Sequence, residues 1–243
     1  MRIPVLALIA ILITATDDPP AATPPPVGEF LVIPLRLHVL TAEDLPEVDC
    51  KLTDDDLKRI LGKVNKVWHQ AGVHWGLESI VREPAARQER FRVARELSGK
   101  SGVPLGAFRS LMPEKTRAET GLNVYYIHKF SVNGVYLGDR IAFVQETAKL
   151  REVKGGIDEP IPRVTAHELG HALGLPHRQA MTNLLASGTT GTTLNTAEVE
   201  TARATAKTVP GVMTHMEIQT RAETEESPAR RAALARWLEE ITN

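Results

Sequence analysis

The sequence predicts an α+β domain, and three observations support this fold class. Strand-like segments recur at residues 30–40, 73–81, 122–128 and 140–145. Helix-like segments with amphipathic spacing stand between and after these strands. The chain has 243 residues and 42% apolar content, which is enough for one substantial core plus appendages.

The composition argues against two classes of partner. The chain carries 29 Lys and Arg residues against 30 Asp and Glu residues, for a formal net charge of −1. This balance gives no support for nucleic-acid binding or for electrostatic attachment to a membrane. Cys50 is the single cysteine, so an intramolecular disulfide is excluded and we expect a structural or free thiol.

The first 16 residues are typical of an export signal. Arg2 precedes an apolar run at residues 3–13, and small residues follow this run. The run is short for a membrane span, and an uncleaved N-terminal anchor is the alternative interpretation. We therefore expect a secreted protein or one in the periplasm or cell envelope. Residues 17–28 hold five prolines and predict a semi-extended linker.

The first strand is expected at residues 30–40, where apolar residues alternate from Leu35 onward. Pro34 favours an edge strand or a strand start, because proline donates no hydrogen bond to a neighbouring strand. We expect His38 to be a half-exposed strand residue and not a metal ligand.

A long helix should follow this strand. Thr53 is a good N-cap, and Asp56 stands at the capping-box offset. Apolar residues then recur at helical spacing from Leu57 to Trp68, and the helix should end near residues 70–72. This acidic start lacks the pattern of a calcium loop, and the sequence leaves structural Ca²⁺ open. Residues 73–81 predict a second strand, and residues 83–97 predict a solvated helix.

The middle of the chain predicts two strands and a loop, which precede a further helix. Residues 122–128 and 140–145 predict strands, with turn signals at residues 131–139 between them. Residues 154–162 predict a loop that contains glycine and proline. A helix at residues 163–173 should then carry the most informative motif of the chain.

That motif runs from His167 to His177 and reads H-E-x-x-H-x-x-G-x-x-H. On a helix, His167 and His171 lie one turn apart on the same face. Gly174 can end the helix with a positive φ and so return His177 towards the other two imidazoles. Three neutral imidazoles with one open position are typical of a catalytic zinc site. Glu168 stands beside the first histidine, where it can act as a general base.

On these residues, the chain resembles the metzincin clan of zinc metallopeptidases. The order of strands and helices extends the resemblance over residues 29–210, and the matrixin-like branch is the most similar. The resemblance implies a metzincin-like catalytic domain with a twisted mixed β-sheet, a long N-terminal helix, an active-site helix and a C-terminal helix. It also implies one catalytic Zn²⁺, held by His167, His171 and His177, and a protein or peptide substrate.

The resemblance also implies a strand that borders the cleft. In metzincins the strand before the active-site helix can pair with an extended substrate through backbone hydrogen bonds. In this chain, the expected substrate-binding residues are Ile141, Ala142, Phe143 and Val144.

Metzincins of the matrixin type have a methionine in a tight turn beneath the zinc. Leu185 takes the aligned position here, which is a departure from the family pattern. Leucine has a similar volume and can fill the same apolar floor. Met181 is the alternative, if the loop takes a different path.

A rival ligand set comes from the gluzincins, in which the third ligand is a glutamate on a downstream helix. Glu198 or Glu200 could take that role here. Both lie on a helix that we expect to start at Asn195 or Thr196 and to run towards Pro210. The intact Gly174 and His177 favour the three-histidine assignment.

Residues 211–243 predict a polar segment followed by an amphipathic helix at residues 228–241. Packing of this helix on the domain is the default interpretation, with a partner-binding or dimer helix as the alternative. The sequence leaves the oligomeric state open.

The expected function is that of a zinc-dependent endopeptidase, in which a zinc-activated water attacks the peptide bond and Glu168 is the general base. An exported zinc-containing binding or adhesion module without proteolytic activity is the alternative. A dedicated processing enzyme with one partner is a third possibility.

Overall fold

The computed structural model describes residues 22–98 and 103–242. The expected signal or anchor at residues 1–16 lies outside these ranges. Within them, six strands form one sheet: β1 (Leu31–Thr41), β2 (Val73–Pro84), β3 (Leu122–Ile127), β4 (Gly134–Tyr136), β5 (Ile141–Gln145) and β6 (Met213–Thr214). The described α-helices are α1 (Asp54–Trp68), α2 (Gln88–Ser98), α3 (Leu105–Phe108), α4 (Pro160–Ala172), α5 (Thr196–Ala206), α6 (His215–Thr224) and α7 (Pro228–Thr242).

The sheet is mostly parallel, with strand order β2-β1-β3-β5-β4 and β6 beside the start of β1. The strands β2, β1, β3 and β5 run parallel, whereas β4 and β6 are antiparallel to their neighbours. This mixed arrangement of helices and strands agrees with the expected α+β class. No helix in the described ranges is both long and apolar enough to cross a membrane.

The first strand is interior, so the expectation that Pro34 marks an edge or strand start is wrong. β1 pairs with β2 along its whole length and with β3 from Leu35 to Val39. Pro34 lies between the β6 pairing, which ends at Val32, and the β3 pairing. A proline is tolerated there because no ladder bond on that side needs its missing N–H.

His38 is fully buried, and the expectation of a half-exposed residue is also wrong. Its Nδ1 lies 2.8 Å from Oε1 of Glu83, and its Nε2 lies 3.1 Å from Oδ1 of Asn123. The ring stacks on Tyr125 at a centroid distance of 4.2 Å. A parallel interior strand is covered on both faces, so even its polar residues are buried and need partners.

The predicted start of α1 is confirmed. The Thr53 side chain accepts from the Asp56 backbone N–H, and the Asp56 carboxylate accepts from the Thr53 backbone N–H. The helix ends at Trp68, and a short 3-10 turn continues the chain to Ala71. Cys50 is a free, buried thiol just before this helix, as expected.

The second strand is longer than expected, and the following helix begins later. β2 extends to Pro84 because β1 pairs with it as far as Thr41. Glu83 therefore belongs to the strand, where it binds His38. Helix α2 starts at Gln88 and not at residue 83.

Two short elements of the C-terminal part had not been expected. Residues 211–227 contain β6 and helix α6, whose N-cap Thr214 forms a capping box with Glu217. Helices α6 and α7 then cover the second face of β1. Their shared cluster consists of Phe30, Val32, Ile218, Leu234, Trp237 and Ile241.

Replacement of Trp237 tests this packing. Its side chain is buried against Gly76, and its indole N–H donates to the Leu77 carbonyl at 3.2 Å. We expect Trp237→Ala to lower the free energy of unfolding by about 3–5 kcal/mol in urea titration followed by circular dichroism. The control Met216→Ala changes an exposed residue and should stay within about 0.5 kcal/mol. If both variants changed the free energy of unfolding by the same small amount, the C-terminal helix would not pack on the sheet.

Candidate metal centre

The three histidines of the motif converge. Nε2 of His171 lies 3.1 Å from Nε2 of His167 and 3.1 Å from Nε2 of His177. Together they form a group whose ligand atoms all lie within 4.8 Å of one another. The structure therefore brings together the three ligands that the sequence predicts.

The end of α4 places the third histidine. The Gly174 N–H donates to the His171 carbonyl, and the Leu175 N–H donates to the Gly170 carbonyl, both at 3.0 Å. These are the two bonds of a Schellman motif, which needs a left-handed residue after the helix. Gly174 supplies it with a φ of 82°. The chain then reverses, and His177 returns to the helix.

Backbone carbonyls hold the imidazoles of the two helical histidines. Nδ1 of His167 lies 2.8 Å from the Leu184 carbonyl, and Nδ1 of His171 lies 2.8 Å from the Leu175 carbonyl. A carbonyl can only accept, so Nδ1 carries the proton on both rings and Nε2 keeps its lone pair. Burial lowers the pKa of His167 to about 3 and also lowers the pKa of His171. Both rings are thus neutral and ready to bind a cation.

The donor set fits a zinc ion. Two nitrogens of a tetrahedral zinc site with Zn–N bonds of 2.0–2.1 Å lie about 3.3 Å apart. The two measured Nε2 separations of 3.1 Å are close to this value. His167 is buried, His171 is half-buried and His177 is exposed, so one side of the group faces solvent. Three protein ligands with an accessible side describe an open site, not a closed structural one.

Glu168 is buried beside this group, with only 4% of its surface exposed. The Tyr136 backbone N–H hydrogen bonds to its carboxylate, and Gly134 lies so close that an added Cβ would meet Oε1 at 2.7 Å. Glycine is therefore required at position 134 for this strand to approach the helix. Burial raises the pKa of Glu168 to about 8.

A cavity of about 800 Å³ opens in front of these residues. It is lined by β4, by the three histidines, by Glu168 and by Arg163. β4 is an edge strand of the sheet, and no strand of the described ranges pairs with its outer side, where the Tyr136 N–H is engaged by Glu168.

The strand expected to bind substrate is not at this edge. β5 pairs with β3 on one side and with β4 on the other, which leaves it no free backbone edge. The expected residues Ile141, Ala142, Phe143 and Val144 are all buried and do not line the cavity. That expectation is wrong because β4, a strand of three residues hidden among turn signals, adds one more strand outside β5.

Arg163 is a buried cation that the sequence analysis gave no role. Its Nε donates to the Gly191 carbonyl at 3.1 Å, and its Nη2 donates to the carbonyls of Ala186 and Asn183. It therefore ties the loop after the histidines to α4. Burial lowers its pKa to about 10, so it remains a cation at neutral pH. Its position four residues before His167, on the same helix face, was a signal in the sequence.

Leu185 lies beneath the motif helix, whereas Met181 does not. Leu185 is fully buried, and its Cδ1 lies 3.2 Å from the position of a Cβ added at Gly170. Met181 is 48% exposed. Leu185 thus supplies a buried apolar side chain beneath the motif helix, and Met181 does not.

The rival glutamate ligands lie elsewhere. Glu198 is buried and accepts hydrogen bonds from Arg178 at 2.6 Å and from Asn183 at 2.8 Å. It also accepts from the backbone N–H of Asn195, the N-cap of α5. Glu200 is exposed on the same helix. Glu198 is therefore a structural partner of the loop, and neither glutamate joins the histidine group.

Comparison with known proteins adds little to this geometry. No protein-family model and no curated protein matches the chain. A solved archaemetzincin from Methanopyrus kandleri has 16% identity and a TM-score of 0.43, over 72% of this chain and 96% of that chain. A chain from the structure of a chaperone–substrate complex has 11% identity and a TM-score of 0.44, over 74% of this chain and 34% of that chain. This chain thus spans about a third of the length of that second structure. These likenesses are too loose to transfer a function, and neither supports the matrixin-like branch.

The variant Gly174→Ala tests the turn that places His177. Alanine in the left-handed region costs about 1–2 kcal/mol, and relief of this strain would move the third ligand. We expect zinc affinity to fall about 10- to 100-fold in competition with a chelating dye.

The matched control is Gly155→Ala. Gly155 has a φ of 76° and nothing within 4 Å of an added Cβ, so it has the same strain at a site away from the cavity. Equal zinc affinities of the two variants would contradict the role of the turn.

Proposed function

We propose that this chain is a zinc-dependent endopeptidase that acts on extended peptide segments. The observation that carries the proposal is the convergence of three imidazoles next to the buried carboxylate of Glu168. Both open into the cavity beside the edge strand β4. A binding module would have no use for a buried carboxylate held against this group, which argues against the non-catalytic alternative.

The substrate is bound along the outer edge of β4, at the backbone groups that Glu168 does not engage. An extended peptide can add to this edge as a further strand, through backbone hydrogen bonds that demand little of its sequence. Gly134 lets the strand approach Val164 and Glu168 closely, since any larger residue would clash with both. The added peptide would therefore run past Glu168 and the histidine group.

Peptide-bond hydrolysis would need two contributions, one from the bound metal and one from the Glu168 side chain. His167, His171 and His177 would hold a zinc ion, whose positive charge would polarise water and the scissile carbonyl. Glu168 removes the proton from the attacking water at a carboxylate oxygen and passes it to the leaving amine. The Tyr136 N–H fixes this carboxylate and, with the Arg163 cation, acts to lower the pKa that burial raises. The positive charge of a bound zinc ion would favour its ionised form further.

Export remains a prediction that is separate from the catalytic proposal. It rests on residues 1–16, which precede the described ranges. The catalytic proposal does not depend on it, because all the residues of the site lie between positions 134 and 185.

The variant Glu168→Gln tests the proposal. The amide cannot accept a proton, while all three metal ligands are retained. We expect unchanged zinc content and a loss of at least about 100-fold in the cleavage of an unfolded protein. A chelator should abolish cleavage by the unchanged protein.

The control Glu200→Gln makes the same change on an exposed helix face and should cleave at the unchanged rate. Full activity of the Glu168→Gln variant would show that Glu168 is not the general base. Zinc binding without any cleavage by the unchanged protein would favour the binding module.

A further inference from the structure

Arg163 has hydrogen-bonding capacity that the residues described by the structure do not use. Its guanidinium donates to three backbone carbonyls through Nε and Nη2. Nη1 lies 3.2 Å from Nδ1 of His167, but this nitrogen already donates its proton to the Leu184 carbonyl. Two donors thus face each other, and Nη1 has no acceptor among the described residues once His167 binds a metal through Nε2.

The charge of Arg163 is also without a hydrogen-bonded counter-ion. The residue is only 1% exposed, and a buried cation is normally paired with a carboxylate. Its acceptors within the described ranges are neutral carbonyls, and its interaction with Glu168 is electrostatic, without a hydrogen bond. Glu168 is the single acid among the described residues that line the cavity, and its carboxylate is already bound to the Tyr136 N–H.

Arg163 lies on the wall of the cavity that also holds the histidine group. A guanidinium presents its donors in a planar fork that matches a carboxylate, and such charge-assisted hydrogen bonds are strong. A ligand that enters this cavity is therefore the simplest source of a hydrogen-bond acceptor for the Arg163 guanidinium.

We propose that the cavity binds a carboxylate of the substrate peptide through Nη1 of Arg163. This rests on the proposed function and adds a substrate class to it: peptides with a carboxylate close to the bond that is cut. The carboxylate has two possible sources, an acidic side chain next to the scissile bond or the free C-terminus of a short peptide. Both sources present the same carboxylate group, and the peptide pairs described next distinguish them.

The first measurement is made on the full zinc-loaded chain. Peptides released from an unfolded protein are sequenced by mass spectrometry, and the residues around each cut are aligned. Substrate pairs are then made that differ only by Glu or Gln at the enriched position, with an amidated C-terminus. A second pair with neutral side chains differs only by a free or an amidated C-terminus.

We expect one of these pairs to show at least about a tenfold higher kcat/KM for the member with the carboxylate. A Glu-over-Gln preference identifies the side chain as the source, and an acid-over-amide preference identifies the C-terminus. Equal rates within both pairs, with the unfolded protein still cleaved, would overturn the carboxylate site and leave the peptidase proposal intact.

A binding measurement separates the two proposals further. Fluorescence anisotropy with the zinc-loaded Glu168→Gln variant compares the same peptide pairs without turnover. We expect at least about tenfold tighter binding of the carboxylate member of the preferred pair. If no protein is cleaved at all, the peptidase proposal fails. Glu and Gln are then compared at each position of one amidated peptide, and equal binding in all these pairs and in the acid–amide pair would still overturn the carboxylate site.

Variants of Arg163 test whether the preference for the carboxylate-bearing peptide depends on this residue. Arg163→Gln should abolish the preference, and Arg163→Lys, which keeps the charge but loses the fork, should retain part of it. The control Arg151→Gln removes an exposed cation that does not line the cavity and should keep the full preference. Zinc content and thermal unfolding show whether each variant folds. If Arg163→Gln does not fold, the substrate pairs on the unchanged protein still decide the question.

Discussion

The left-handed turn at Gly174 is the constraint on which the histidine group depends. Two histidines on one helix face can meet a cation together, but a straight helix carries the next residues away from it. The turn returns the chain to the helix and also presents the Leu175 carbonyl to His171. One backbone reversal thus supplies the third imidazole and orients the second. The loop that follows supplies the Leu184 carbonyl for the first.

Close packing around α4 explains why the site is buried and asymmetric. Trp68 of α1 lies against the helix and donates from its indole N–H to the Ala166 carbonyl at 3.3 Å. On another side, Gly134 admits β4 to the surface of the helix. Between these contacts the helix buries a carboxylate, Glu168, and a guanidinium, Arg163. Burial of such groups is unfavourable unless their hydrogen bonds are made, and neighbouring backbone makes most of them here. Arg163 also lines the cavity, and we propose that a ligand there uses its remaining donors.

Local features of the site could be predicted from the sequence, because their causes are local. The spacing of His167, His171 and Gly174 is sufficient to predict the convergence of the ligands. The capping boxes at Thr53 and Asn195 likewise predict where two helices begin. A third box, at Thr214, was present in the sequence and overlooked.

Features that depend on sheet order could not be predicted in the same way. The burial of His38 follows from strands and helices that are distant in sequence. The edge position of β4 follows from three residues, Gly134–Tyr136, which look like part of a turn. Once β4 lies outside β5, the edge of the sheet beside the cavity is formed by β4 and not by β5. Arg163 was visible on the face of His167, but its unused donors depend on the tautomer that Leu184 imposes.

The central claim is that three imidazoles of this chain bind one zinc ion at an open site. The most direct test is X-ray absorption spectroscopy of the zinc-loaded full chain, combined with metal analysis. The account predicts one zinc per chain, with three imidazole nitrogens at about 2.0–2.1 Å and one exchangeable oxygen ligand. A zinc-free protein, or a zinc ion bound through sulfur or through fewer than three imidazoles, would contradict it.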